Sequence, residues 1–248
     1  MKIYGLIGNP VAHSLSPKYF NDKFRNEGLK EYEYMAFKLD DIDEFPALLE
    51  ENPEIAGLNV TIPYKGTVQK YLDKIDRDAK LVGSVNTIKI IHHRKKMILH
   101  GYNTDVFGIE SSLAPYFRKD NTQALILGTG GAAKAVTFVL KKYGISYQYV
   151  TRRPLKANQI VYWGVDKSVL QDHLLIINTT PLGMHPGIND FPDIPYEYLT
   201  GDHILLDLIY NPPETRFLSE GKKAGATTIN GMKCFLQQAE RSWSIWNK

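Results

Sequence analysis

Leu125-Ile-Leu127 is followed by Gly128-Thr129-Gly130-Gly131-Ala132-Ala133 and then by Val136, Val139 and Leu140 at helical spacing. This is the pattern of a strand, a glycine turn and a helix. Glycines at such a turn let backbone N–H groups approach a pyrophosphate at the positive end of the helix. An ordinary strand-to-helix turn is the competing reading of the glycines alone, and the end of the following strand discriminates. An NAD-dependent enzyme places an acid there against the ribose 2′-hydroxyl, about twenty residues past the glycines. This chain has Val150-Thr151-Arg152-Arg153-Pro-Leu-Lys156 at that point, with no acid before Asp166. Guanidinium groups match a phosphate in shape and charge, so the pattern predicts the 2′-phosphate of NADP rather than NAD, unless both arginines are solvated turn residues.

Ser14 and Ser16 lead into a helical stretch, and Ser16 before Pro17 makes a good N-cap and first-turn pair. Hydroxyls at a positive helix end suit a carboxylate; capping alone would account for Ser16 but not for Ser14. In Leu58-Asn59-Val60-Thr61-Ile62 the apolar residues alternate with Asn59 and Thr61, which therefore share the other face of a strand. Pro63 ends regular pairing, and Lys65 follows in the turn. By type and spacing alone Lys65 is a solvated surface lysine. By the same standard Asn86 and Asp105 are turn formers.

The elements that would position these residues alternate. Ile3 to Ile7, Tyr19 to Glu27, Tyr32 to Leu39, Ile42 to Glu50 and Ile55 to Ile62 read as strand and helix in turn, the rhythm of β-α-β units and a mostly parallel sheet. A second series runs through Ala124 to Leu127, Tyr147 to Thr151, Leu174 to Asn178 and Ile204 to Leu208, each short enough for a strand buried on both faces. The joint is expected in Gly101-Tyr-Asn-Thr-Asp105. After Gly231 the positions Met232, Phe235, Leu236, Ala239, Trp243 and Trp246 repeat with helical spacing. The expected class is thus α/β. Residues 1–104 are expected to form a substrate-binding domain completed by a C-terminal helix over 231–248, and 105–230 a Rossmann-like dinucleotide-binding domain.

Bulk properties narrow the partners. With 248 residues, 43% hydrophobic, 23% charged and a net charge of +3, no nucleic-acid partner is implied. The cluster His92-His-Arg-Lys-Lys96 between two apolar runs reads as a solvated hairpin tip. No apolar run approaches the roughly eighteen residues needed to span a bilayer. A single cysteine, Cys234, excludes an internal disulfide. The N-terminus reaches Gly8 and Pro10 before a signal-peptide core could form, so a reducing, cytoplasmic compartment is expected. No metal-ligand spacing is read.

The runs Gly8-Asn-Pro-Val-Ala-His-Ser-Leu-Ser-Pro17, Asn59-Val-Thr-Ile-Pro-Tyr-Lys65, Gly83-Ser-Val-Asn-Thr87, Asn103-Thr-Asp105 and Gly128-Thr-Gly-Gly-Ala132 resemble the motifs of the shikimate dehydrogenase family, in the family's order. Asn178-Thr-Thr-Pro-Leu-Gly-Met184, Asp207-Leu-Ile-Tyr-Asn-Pro212 and Gln238-Ala239 do so too, and the likeness covers almost the whole chain. The resemblance implies reversible NADPH-dependent reduction of 3-dehydroshikimate to shikimate, in the route to chorismate and the aromatic amino acids. It assigns Lys65 the acid/base role, with Asp105 beside it. Ser14 and Ser16 would hold the substrate carboxylate, and Thr61, Asn86, Asp105, Tyr210 and Gln238 would bracket the ring hydroxyls. Gly128, Thr129, Gly130, Gly131 and Ala132 would carry the pyrophosphate, Arg152 the 2′-phosphate, and Leu208 and Gly231 would line the nicotinamide site.

Two departures stand out. The family commonly has asparagine where Thr151 stands, and the stretch from Pro154 to Asp172 is compressed, with little room for the usual crossover helix. Arg153 and Lys156 are expected to take over interactions that the shortened segment no longer supplies. Alternatives are a quinate/shikimate dehydrogenase with relaxed substrate or cofactor use, and a non-catalytic ligand-sensing paralogue. The latter would have no reason to keep both Lys65 and Asp105. A small-molecule substrate and a monomeric or homodimeric state complete the expectation.

Overall fold

The apolar runs of the first series condense into a six-stranded mixed sheet in a computed structural model that describes residues 1–93, 96–117 and 123–248. The chain divides into a unit of residues 1–104 and 239–248 and a second unit of residues 105–238. The first unit contains β1 (Lys2–Gly8), α1 (Ser16–Asn26), β2 (Tyr32–Lys38), α2 (Phe45–Glu51), β3 (Ile55–Val60), β4 (Lys74–Ile75), α3 (Arg77–Val82), β5 (Thr87–His93) and β6 (Lys96–Tyr102). Strand order is β2-β1-β3-β5-β6-β4. β1 pairs in parallel with both β2 and β3, β4 in parallel with β6, and β5 antiparallel with β3 and β6.

Every residue of β1 after Lys2 is buried, as expected of a central strand covered on both faces. On one side, Ile42, Phe45 and Leu49 pack on Ile3, Ile7, Leu58 and Ile88. Elsewhere an aromatic cluster of Tyr4, Phe20, Phe24, Tyr34 and Trp246 forms, with Phe20 and Phe24 one helical turn apart on α1. Trp246 stacks on Tyr4 with centroids 4.8 Å apart and donates its indole N–H to the Ile88 carbonyl at 3.0 Å. Its ring lies where a Cβ at residue 57 would stand, which explains Gly57.

The hairpin of β5 and β6 closes with His93 opposite Lys96. Of the expected basic tip, His92, His93 and Lys96 are exposed, while Arg94 and Lys95 lie outside the described residues.

The second unit contains α4 (Asp105–Leu113), β7 (Ala124–Leu127), α5 (Gly131–Lys142), β8 (Tyr147–Val150), β9 (Gln159–Ile160), α6 (Lys167–Asp172), β10 (Leu175–Asn178), β11 (Ile204–Asp207), α7 (Arg216–Lys223) and β12 (Thr227–Ile229). The last helix, α8 (Met232–Trp246), starts in this unit. All five pairings are parallel, in the order β12-β11-β10-β7-β8-β9. Counted from β7 the order is that of the doubly wound dinucleotide fold, and its reversal falls between β7 and β10, where such sheets bind ligands beyond the carboxyl ends of the strands. All residues of β7, β10 and β11 are buried, as two-sided cover requires. The connection from β8 to β9, residues 151–158, contains no helix.

Candidate active site

Lys65 is held from both sides by backbone. β3 ends at Val60, Thr61 donates its N–H to the Ile7 carbonyl at 2.9 Å, and Tyr64 then turns back onto the Thr61 carbonyl at 3.0 Å. Tyr64 is buried and donates its hydroxyl to the Leu39 carbonyl at 2.8 Å. The Lys65 carbonyl receives the Val85 N–H at 2.8 Å, which ties the lysine's turn to the segment leading into Asn86. Lys65 is half-buried, not the fully solvated lysine that its local spacing suggests.

Asn86 is buried, and its carboxamide is oriented by what it accepts. Its Oδ1 takes the Thr104 N–H at 2.7 Å, and its Nδ2 donates to the Thr104 hydroxyl at 3.0 Å. Because a backbone N–H can only donate, it identifies the oxygen end of the amide. Behind it lies a hydroxyl network that sequence reading did not single out. Ser242 of α8 meets the Thr87 hydroxyl and the Asn59 Nδ2, each at 2.9 Å, and the Thr104 hydroxyl at 3.2 Å. Asn59 also accepts from the Tyr34 hydroxyl at 2.8 Å. Although Asn59 and Thr61 alternate with the same apolar residues, Asn59 thus belongs to the buried network.

The start of α1 differs from expectation by one position. Leu15, not Ser16, is the N-cap, without a side-chain cap, and Ser16 is the first helical residue. The Ser14 hydroxyl accepts the Ser16 N–H and donates to the Ser16 hydroxyl, both at 3.2 Å. Helical backbone at Leu15 brings Ser14 over the helix start, so both half-buried hydroxyls sit together at the positive end.

In the second unit, Asp105 is the first residue of α4 and half-buried. Gly108 of α4 lies so near α8 that a Cβ would stand 2.4 Å from the Cys234 carbonyl oxygen. Cys234 donates to Ser112 at 3.1 Å, and its thiol is pushed up to about 11 by burial, with the Asp105 charge adding to the effect. The Tyr210 ring packs on Phe235 with centroids 4.7 Å apart, and Gln238 lies one turn along from Phe235, half-buried.

The glycine turn leaves β7 at Gly128, whose φ of 102° disfavours any side chain. A Cβ there would also stand 2.9 Å from the Thr179 hydroxyl oxygen, since Thr179 donates that hydroxyl to the Leu127 carbonyl. Thr129 and Gly130 are exposed, and α5 starts at Gly131 and Ala132 without a side-chain cap. An uncapped helix start behind exposed glycines fits a pyrophosphate.

Arg152, Arg153 and Lys156 are all exposed, and among the described residues none of their three side chains makes a hydrogen bond or ion pair. Thr151 is anchored by its N–H to the Ile160 carbonyl at 2.8 Å. Arg152 lies near Tyr162: burial raises that phenol's pKa and the guanidinium partly offsets the rise. Three uncompensated cations at the carboxyl end of β8 fit a 2′-phosphate. At the other end of the site, a Cβ on Gly231 would stand 2.2 Å from the Leu208 carbonyl oxygen, so Leu208 and Gly231 are in contact. Among the described residues no cluster of His, Cys, Asp and Glu could hold a metal ion.

The model of the shikimate dehydrogenase substrate binding domain matches residues 6–88. The shikimate dehydrogenase (NADP(+)) of Methanocaldococcus jannaschii is 40% identical, over 99% of this chain and 91% of that protein. This chain belongs to the shikimate dehydrogenase family. Solved structures agree with the family assignment. A shikimate dehydrogenase in complex with NADP+ superposes with a TM-score of 0.81 at 36% identity, covering 99% of this chain and 90% of the other. That of Thermus thermophilus, in complex with NADP(H) and shikimate, gives 0.84 at 28% identity, covering 99% and 93%. The family's two-part α/β architecture, a substrate-binding part and a Rossmann-like part, is thus the architecture of this chain. Among the described residues no helix is long and apolar enough to cross a membrane.

Proposed function

We propose that this chain is an NADP-dependent shikimate dehydrogenase, an oxidoreductase acting on a CH–OH group in the route to chorismate and the aromatic amino acids. The observation that carries the reading is likeness over 99% of the chain to proteins of that name. When bound, NADP would supply the hydride acceptor or donor, and this chain's own residues bind and orient the substrate and move the proton.

Lys65 transfers the proton at the reacting oxygen. Its ammonium supplies both the proton and electrostatic stabilisation to an alkoxide forming from the ketone, and its neutral amine takes the proton in the reverse direction. Asp105 shares the proton handling and binds a ring hydroxyl. Ser14 and Ser16 take the substrate carboxylate at the positive end of α1. Asn86, its oxygen occupied by Thr104, acts toward the ring as a donor. Thr61, Tyr210 and Gln238 supply further neutral hydrogen bonds, which orient a polyhydroxylated ring without adding charge. For NADP, Gly128 to Ala132 at the start of α5 take the pyrophosphate. Arg152, supported by Thr151, Arg153 and Lys156, takes the 2′-phosphate, and Leu208 and Gly231 line the nicotinamide site. We place the protein in the cytoplasm, where a reducing compartment suits its single buried cysteine, and take it to be a monomer or homodimer.

Initial rates with shikimate or quinate, each with NADP or NAD, test the reading. Shikimate with NADP is expected to give the highest kcat/KM. A preference for quinate or for NAD would make this the broader enzyme, and no turnover with any pair would make it a ligand-sensing paralogue.

A further inference from the structure

One fully buried carboxylate has no part in the chemistry above. Asp207 ends β11 and is 0% exposed. Its Oδ1 accepts the Asn178 Nδ2 at 3.1 Å and the Ile209 N–H at 3.0 Å, and its Oδ2 accepts the Thr215 hydroxyl at 2.6 Å. These donors come from the end of β10, from the segment following β11 and from the residue capping α7. Among the described residues none of them is a cation.

The bonds continue outward in both directions. Asn178 accepts the Thr180 N–H at 3.0 Å and the Thr180 hydroxyl at 2.6 Å through Oδ1. Thr179 and Thr180 are the side chains against which Gly128 is packed. On the other side Ile209 follows Leu208, whose carbonyl abuts Gly231, and the Gly231 N–H is bonded to the Ile209 carbonyl at 2.9 Å. Hydrogen bonds centred on Asp207, extended at each end by close packing, thus link the glycine turn to the Leu208 and Gly231 pair.

We infer that Asp207 is a positioning residue for the cofactor: it fixes the segments after β10 and β11 relative to the glycine turn, so that the pyrophosphate and nicotinamide positions are set before NADP arrives. A carboxylate suits the task because both oxygens accept, which lets one side chain hold three donors from three segments. Burying such a charge without a cation is unfavourable, and a side chain chosen for stability alone at this place would be apolar. The inference rests on the reading of this unit as the NADP site.

The test compares two ligands by calorimetric titration of the full chain. NADPH occupies the whole site, whereas adenosine 2′-phosphate reaches only the adenosine end near Arg152. Asp207→Ala is expected to weaken NADPH about tenfold, the equivalent of ~1.4 kcal/mol, and to leave adenosine 2′-phosphate within about twofold. Asp207→Asn, which keeps an acceptor for Ile209 and Asn178, should recover most of the loss. If Asp207→Ala does not fold, Thr215→Val, which removes one donor, is expected to weaken NADPH about threefold with the same selectivity. Equal weakening of both ligands, or of neither, overturns the inference. Failure of the wild-type protein to bind NADPH at all would instead overturn the NADP reading on which it rests.

Discussion

At Lys65 the backbone is pinned by Tyr64 on one side and Val85 on the other, and the side chain is half-buried. A group held this way and acting mainly in the transition state affects turnover more than binding. Lys65→Ala is expected to keep the KM for shikimate within about tenfold while losing most of kcat, in steady-state kinetics; a near-normal kcat would remove Lys65 from the mechanism. Arg152→Ala should raise the KM for NADP by about tenfold or more while leaving that for NAD nearly unchanged, because a charge-assisted bond to phosphate is worth about 1.5–3 kcal/mol. Lys156→Ala should do the same more weakly. Equal cofactor preference in both variants and the wild type would sink the phosphate assignment. The arginines were legible in the sequence because their place follows directly from the strand before them. Ser242 and Thr104 were not, since Ser242 meets Asn59 from 183 positions away and no local spacing marks the pair. Asp207 lies within the run Ile204 to Leu208, and no spacing marks its role, because its three donors come from segments that only the fold brings together.

Among the elements, the glycine turn and the last helix make the sharpest demands on space. Gly128→Ala combines an unfavourable φ with a Cβ 2.9 Å from the Thr179 hydroxyl oxygen. It is expected to weaken NADPH binding by about tenfold or more in a fluorescence titration, and unchanged affinity would contradict the assigned pyrophosphate site. Trp246 packs on Tyr4 and Phe20 and bonds to Ile88, so Trp246→Ala should cost about 3–5 kcal/mol in denaturant unfolding. The long apolar strands and the amphipathic helices could be read from the sequence because periodicity marks them. β9, with two residues, and β12, with three, could not, because neither is long enough to show a period. These two short strands complete the dinucleotide-binding strand order. The start of α1 lies one position earlier than serine followed by proline, the usual cap signal, marks it, because Leu15 adopts helical backbone and passes the capping role to the Ser14 hydroxyl.

For the whole molecule, two series of strands separated near residue 105 were enough to read a pair of α/β units, since burial on both faces leaves an unmistakable run of apolar residues. What the series could not show is the stability held against function. Burial raises Asp207 from the ordinary 3.8 to about 6, so its protonated form favours the folded chain. That contribution is full below pH 3.8 and is lost as pH rises through about 6, a loss of about 3 kcal/mol by neutral pH. Tyr196 interacts with Asp207, and its pKa is raised by burial and by the charges of Asp207, Glu220, Tyr162 and Asp193. Asp207→Asn is therefore expected to gain stability relative to the wild type in urea unfolding as pH rises through about 6. A difference that does not change with pH would contradict the buried charge.

The most direct measurement follows the absorbance of reduced nicotinamide when the protein is given NADP and shikimate, with the Lys65→Ala variant run beside it. Steady NADPH formation by the wild type and almost none by the variant is the expected result. No NADPH formation from shikimate by the wild type would contradict the assignment.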